Sequence, residues 1–168
     1  MPDHLFKLAK TQPEISAYFD LRHQIFVEEQ GIFKVNDVDS IDEIAYPIIA
    51  VESDASSLDV LGIVRIYEAE PRLWYGGRLG THPNRRKGWQ IGKGLIYKAV
   101  TTANTWGCDR FLATVQIQNV RFFQRLHWDS LEETKIHGIA HHLMQADLNY
   151  YPAGNEIRPT LLEYSRAS

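Results

Sequence analysis

The residues with the clearest chemical potential run from Leu79 to Leu95, LGTHPNRRKGWQIGKGL. Arginine, lysine and glycine mix there just ahead of a stretch with helical apolar spacing. A helix N-terminus presents unpaired backbone N–H groups at the positive end of its dipole, and glycines let the chain close on a ligand. With Arg85, Arg86, Lys87 and Lys93 alongside, the turn suits phosphate oxygens, a diphosphate above all. The wider charge pattern agrees. Residues 71–108 hold seven arginines and lysines and no acid, whereas residues 28–70 carry eleven acids against Lys34 and Arg65. The basic segment is therefore expected to bind an anion.

Competing chemistries fail on spacing. Gly88 to Lys93 reads GxxxGK followed by Gly94, one residue short of a Walker A loop and lacking its magnesium-binding hydroxyl. No GxGxxG opens the helix, which removes the dinucleotide fingerprint. His137, His141 and His142 lie close together, but Gly138 interrupts them and adjacent strand residues point to opposite faces, so no metal is expected. The single cysteine, Cys108, follows Gly107 at a helix end, where the dipole disfavours a thiolate; it reads as a packed thiol. The basic run RRK is short, the net charge is −3, and no helix-turn-helix or RRM pattern accompanies it, so nucleic acid is not an expected partner.

These residues need a frame to hold them. With 168 residues and 44% hydrophobic content, the sequence predicts one domain over residues 1–168. The first residues lack the apolar run of a signal peptide and no stretch approaches the roughly 18 apolar residues of a membrane span, so a cytoplasmic protein without membrane contact is expected. Alternation marks a strand at 4–10, and apolar spacing marks a helix from Pro13 to Gly31. Two Ile- and Val-rich runs at 45–52 and 60–68 read as a hairpin, and 73–81 as a further strand. Ile91, Leu95, Ile96, Ala99, Val100, Ala103 and Trp106 form one helical face, ended by Gly107. A buried strand at 111–116, a short helix capped by Asn119 and ending near Trp128, and strands at 132–137 and 139–147 complete the order. The expected class is α/β (α+β): a mixed, mainly antiparallel sheet of six to seven strands with helices on both faces.

Leu79-x-Thr81-x-Pro83-x-x-Arg86 followed by Gly92-x-x-Leu95 resembles the acetyl-CoA loop of the GNAT family of N-acetyltransferases. The segment NVRFFQRLHW, residues 119–128, resembles the part of that family that flanks the pantetheine arm. The likeness covers roughly residues 5–150 and extends to LRHQIFVEEQGIF at 21–33. It is closest to bacterial acetyltransferases associated with nitrilase-like gene clusters. It implies an acetyl-CoA-dependent enzyme acting on a small amine by direct attack in a ternary complex, without a metal, and it leaves a homodimer open. Backbone groups of Leu79, Gly80 and Thr81 would meet the pantetheine amides. Arg86, Lys87, Gly88, Trp89, Gln90, Ile91, Gly92 and Lys93 would hold the diphosphate and the adenosine end, and Asn119 and Phe123 would flank the arm.

Two departures from the family pattern stand out. The loop has three residues between Gly88 and Gly92 where one is usual. The position that often carries a leaving-group tyrosine is Phe123. A base must take the proton from the attacking amine, and the resemblance offers Glu29, in FVEEQ, and His141, in GIAHHLM, for that role. The acidic run would draw a cationic amine toward the site. Asp39 and Asp42 read as residues that order the loop before the next strand. Two other readings stay open: an acyltransferase with a longer acyl donor, because Arg22, Phe26 and Asp39-x-x-Asp42 resemble acyl-homoserine-lactone synthases, and a non-catalytic CoA-sensing module.

Overall fold

The structure, a computed structural model, describes residues 4–53, 57–86 and 89–161. Lys87 and Gly88, two of the expected diphosphate contacts, lie outside the described residues. Seven strands form one sheet: β1 (His4–Leu8), β2 (Tyr46–Glu52), β3 (Val60–Glu70), β4 (Leu73–Thr81), β5 (Arg110–Gln116), β6 (Trp128–Ile136) and β7 (Ile139–Ala146). Their order is β1-β2-β3-β4-β5-β7-β6, and every pairing is antiparallel except β4 with β5.

The central strands are apolar on both faces because helices cover both. Ile49 and Ile63 face α1 (Gln12–His23), packing with Ile15, Tyr18, Leu21 and Ile25. Their neighbours Ile48 and Val64 face the other way, onto Leu95, Ile96, Ala99 and Val100 of α2 (Gln90–Thr105) and Phe123 of α3 (Val120–Arg125). Thr11 starts α1 through a capping box: its hydroxyl accepts the Glu14 N–H at 3.2 Å, and the Glu14 carboxylate accepts the Thr11 N–H at 3.1 Å.

The α-helix does not run on to Gly31 as its apolar spacing suggests. It gives way at Gln24–Glu29 to a π-helical turn, whose wider winding carries both Ile25 and Phe26 into the apolar layer. The Asn119 side chain does not cap α3; a 3-10 turn at Ile117–Asn119 leads in instead. That helix stops at Arg125, and His127, at φ +69, turns the chain so that β6 begins at buried Trp128, four residues before the expected start. Gly107 (φ +88) and Gly138 (φ +75) adopt the left-handed backbone that ends α2 and closes the β6–β7 hairpin.

The most consequential irregularity is in β4. It pairs with β5 only from Leu73 to Tyr75; beyond that the two parallel strands part, while β5 keeps its other edge on β7 as far as Gln116. On its other edge, register moves from Ile63↔Gly80 to Arg65↔Gly77, so Val64 faces two residues, Arg78 and Leu79. This is a β-bulge, and Arg78 takes φ +52 within it. A non-glycine residue in that region is strained unless its surroundings hold it. Here the Arg78 guanidinium donates to the Asp37 carbonyl at 2.8 Å and lies 4.5 Å from the Phe33 ring centroid.

Candidate active site

A cleft of about 420 Å³ opens where β4 leaves β5. Ile96, Ala99 and Phe123 wall it on the α2 side, and Phe26, Ile32 and Phe33 on the α1 side. It therefore reaches both layers of the molecule through the gap in the sheet. Leu79, Asn119 and Phe123, expected from the sequence to meet an acyl carrier, all line it. Gly80 and Thr81 do not: they pair with Ile63 and Gly62 of β3, and a Cβ at Gly80 would sit 2.8 Å from Ile25.

The start of α2, the helix whose Ile96 and Ala99 wall the cleft, is uncapped. Trp89 precedes α2 at φ +63, no side chain caps the first turn, and Lys93 N–H is the donor that returns to the Trp89 carbonyl. The N–H groups of Gln90, Ile91 and Gly92 are thus left as donors. Ile91 offers only backbone, since its side chain packs under Gly62. Among the described residues, a Cβ at Gly92 would meet nothing nearer than Phe122 at 4.0 Å, so the small residue leaves room there. Trp89 is 59% exposed and tilts against Phe122 at 4.8 Å between ring centroids.

Two residues assigned to different roles meet. Arg86 donates through Nε to the Thr81 carbonyl at 3.1 Å and through both Nη groups to the Glu29 carboxylate, one of them at 3.0 Å. Glu29 stands at the end of the π turn, outside the lining of the cleft, while His141 is within it. His141 is buried, with Nδ1 2.8 Å from the Ile139 carbonyl. A carbonyl only accepts, so Nδ1 carries a hydrogen, and the tautomer this bond selects has its lone pair on Nε2.

The sequence reading did not single out Tyr67 and Tyr75. They are partners across β3 and β4, stack at 5.7 Å and line the cleft; burial raises the Tyr67 pKa. Period-two alternation was the available signal, because Arg65 and Tyr67 share one face of β3.

A charged network backs the α1 side. Arg22 bonds Asp37 at 2.7 Å and Asp42 at 2.6 Å, Arg65 bonds Asp39 at 2.7 Å and Asp42 at 3.0 Å, and Arg78 reaches Asp37 at 3.2 Å. Asp39 caps the 3-10 turn Ser40–Glu43, with Asp42 returning the bond, which is the ordering role expected of that pair. Burial alone would raise the Asp42 pKa, but Arg22 outweighs it and holds the carboxyl below its ordinary range. Burial, followed by repulsion from Arg65 and Arg22, lowers the Arg78 pKa.

Part of the acidic run is taken up by the basic one: Glu29 pairs with Arg86, Glu52 with Arg85, and Asp37 and Asp39 with Arg78. Cys108 is the packed thiol expected, with burial pushing its pKa up to about 11. Among the described residues no group of three or more histidines, cysteines or carboxylates is placed to hold a metal, and no helix is long and apolar enough to cross a membrane.

The family model described as the acetyltransferase (GNAT) family matches residues 12–128. No curated protein matches the chain in sequence. Solved structures do match in fold. A Lactobacillus plantarum protein assigned to the N-acetyltransferases superposes with a TM-score of 0.75 at 18% identity, over 86% of this chain and 98% of that one. Escherichia coli ElaA gives 0.71 at 19% identity, over 88% and 100%. The CoA-dependent acyl-homoserine lactone synthase BjaI, solved with SAM and isopentyl-CoA, gives 0.71 at 17% identity, over 98% and 99%.

Proposed function

We propose that this chain, which belongs to the GNAT acetyltransferase family, is an acetyl-CoA-dependent N-acetyltransferase of the cytoplasm that modifies the amine of a small molecule. One arrangement supports the reading: α2 begins with an uncapped first turn, suited to an anion, and farther along the same helix Ile96 and Ala99 wall the cleft at the β4–β5 gap. The first-turn N–H groups of α2, with Arg86 and Lys93, hold the diphosphate of the donor. Leu79, at the bulge, and Asn119 and Phe123 flank its arm. The thioester then sits in the gap, and the amine approaches from the α1 side.

The amine lone pair attacks the thioester carbonyl, the C–S bond breaks, and CoA leaves as thiolate. His141 Nε2 takes the proton that the nitrogen sheds. Phe123 supplies no proton to sulfur, and little is needed, because a thiol pKa near 8.5 makes the thiolate a tolerable leaving group at neutral pH. Glu29 acts at the donor end, where it holds Arg86.

Calorimetric titration with acetyl-CoA tests the donor site, and thiol release across a panel of amines tests the transfer. Saturable binding with release is expected. Absence of both overturns the proposal. A second reading, a longer acyl donor, draws on the apolar residues Ile96, Ala99, Phe111 and Trp128, which line the same cleft. BjaI, similar in fold, was solved with isopentyl-CoA. Rates with acetyl, butyryl and octanoyl donors decide between the two.

A further inference from the structure

The α1 side of the cleft, where the amine would enter, has an electrostatic character that narrows the acceptor. Among the described residues no aspartate or glutamate lines the cleft, while two guanidinium groups, Arg65 and Arg78, do. Asp37, Asp39 and Asp42 bind these arginines, and Asp37 is almost wholly buried. None of the three is in the lining. Arg65 is 3% exposed, and its Nε–H is a buried donor with no acceptor among the described residues. A Cβ placed on cleft residue Gly77 would lie 3.7 Å from that nitrogen. A donor left unmatched in such a place costs free energy unless something else accepts from it. The Arg78 bonds use Nε and Nη2, and no acceptor is placed on Nη1.

The distal ammonium of a diamine or polyamine would find no carboxylate among the described lining residues. A carboxylate finds what it needs there: charge-assisted donors on guanidinium groups already fixed in place by aspartates and by the Phe33 ring. We propose that the acceptor is an amino acid or close analogue, its amine facing the thioester and its carboxylate received by Arg78, with Arg65 Nε turned toward the same oxygen acid. This rests on the transferase reading above. Phe26, Phe33, Tyr67 and Tyr75 give the rest of the acceptor an apolar and aromatic surround.

The test measures thiol release with acetyl-CoA and the twenty standard amino acids, matched amines lacking the carboxylate, methyl esters of the reactive amino acids, and spermidine. Expected is a kcat/KM for the best amino acid at least about ten-fold above that of its ester and its decarboxylated amine. Arg78→Gln should remove that preference while acetyl-CoA affinity stays within about two-fold. Arg78→Lys, which keeps the charge and loses the fork, should fall between. A preference for spermidine or the uncharged analogues, or no turnover of any amino acid by a protein that binds acetyl-CoA, overturns this inference and leaves the donor site standing. Failure to bind acetyl-CoA overturns the transferase reading itself, and this inference with it.

Discussion

The Arg86–Glu29 pair joins a residue expected at the diphosphate to the one that FVEEQ offered as a base. With its Nε on the Thr81 carbonyl and both Nη groups on Glu29, the Arg86 fork is fully engaged, so a diphosphate must compete with the carboxylate for it. Both side chains are more than a third or close to a third exposed, 44% and 33%, so the pair itself contributes no more than about 1 kcal/mol. Glu29→Gln should then tighten acetyl-CoA binding by up to about five-fold in calorimetry, since it frees the fork and removes a negative charge beside a polyanion. Turnover should stay close to that of the parent. A hundred-fold fall in kcat, about 2.7 kcal/mol, with unchanged affinity would instead return Glu29 to the role of base. Arg86→Ala should weaken acetyl-CoA binding by about 1–3 kcal/mol. His141→Gln tests the other half of the assignment: it keeps a polar group in the cleft but no basic nitrogen, and should lower kcat by about 10²–10⁴ with little change in acetyl-CoA affinity.

At the scale of elements, what was legible in the sequence is what depends on near neighbours. The start of α2, its basic approach and its apolar face are set by residues one to four apart, and they stand where the spacing put them. The π turn was hidden because consecutive buried residues Ile25 and Phe26 fit an α-helical reading as well. The site's charge was hidden for another reason: Arg86 and Glu29 lie 57 residues apart, Arg65 and Asp39 26, and only the register of β3 on β4 and the path of the 31–45 loop bring such partners together. The helix that carries the proposed diphosphate turn is seated just as closely. A Cβ on Gly62 of β3 would lie 2.7 Å from Ile91 and 2.8 Å from Leu95, at the first two turns of α2. Gly62→Ala must therefore displace the Ile91 and Leu95 side chains or the helix start that carries them, at a cost of about 1–3 kcal/mol. Chemical denaturation should report the lost stability, and calorimetry a weaker acetyl-CoA site. Gly92→Ala, with open space around its Cβ, should leave stability nearly unchanged and affect only the ligand.

For the whole molecule, ionisable groups set a window of stability that follows from the direction of each shift. Burial pushes the Glu14 pKa up, but Lys7 and the N–H groups of Lys10 and Thr11 outweigh it and bring it down to about 2. Asp39 and Asp42 are likewise held low by Arg65 and Arg22 against the effect of burial. In the unfolded chain these carboxyls take up protons near pH 4 to 4.5, before the folded protein does. Over that interval the unfolded state binds more protons, so stability rises with pH; their contribution is complete above the unfolded values and is lost as acid reaches the folded ones. The basic limb has the opposite sign. Burial keeps the Cys108 thiol protonated to about pH 11 and Tyr18 and Tyr151 to about 12, while their unfolded counterparts ionise from pH 9 to 10. There the unfolded state holds fewer protons, and stability falls as pH rises. Denaturant titrations should thus show a plateau between about pH 5 and 9 with a decline on either side. Cys108→Ala should blunt the alkaline decline. Asp42→Asn leaves Arg22 and Arg65 with one carboxylate partner fewer in a buried place, and should cost about 3–5 kcal/mol at pH 7. That deficit should shrink toward pH 3, where acid withdraws the same contribution from the parent protein. An equal deficit at both pH values would mean that the three aspartates hold the loop by shape, with charge contributing nothing.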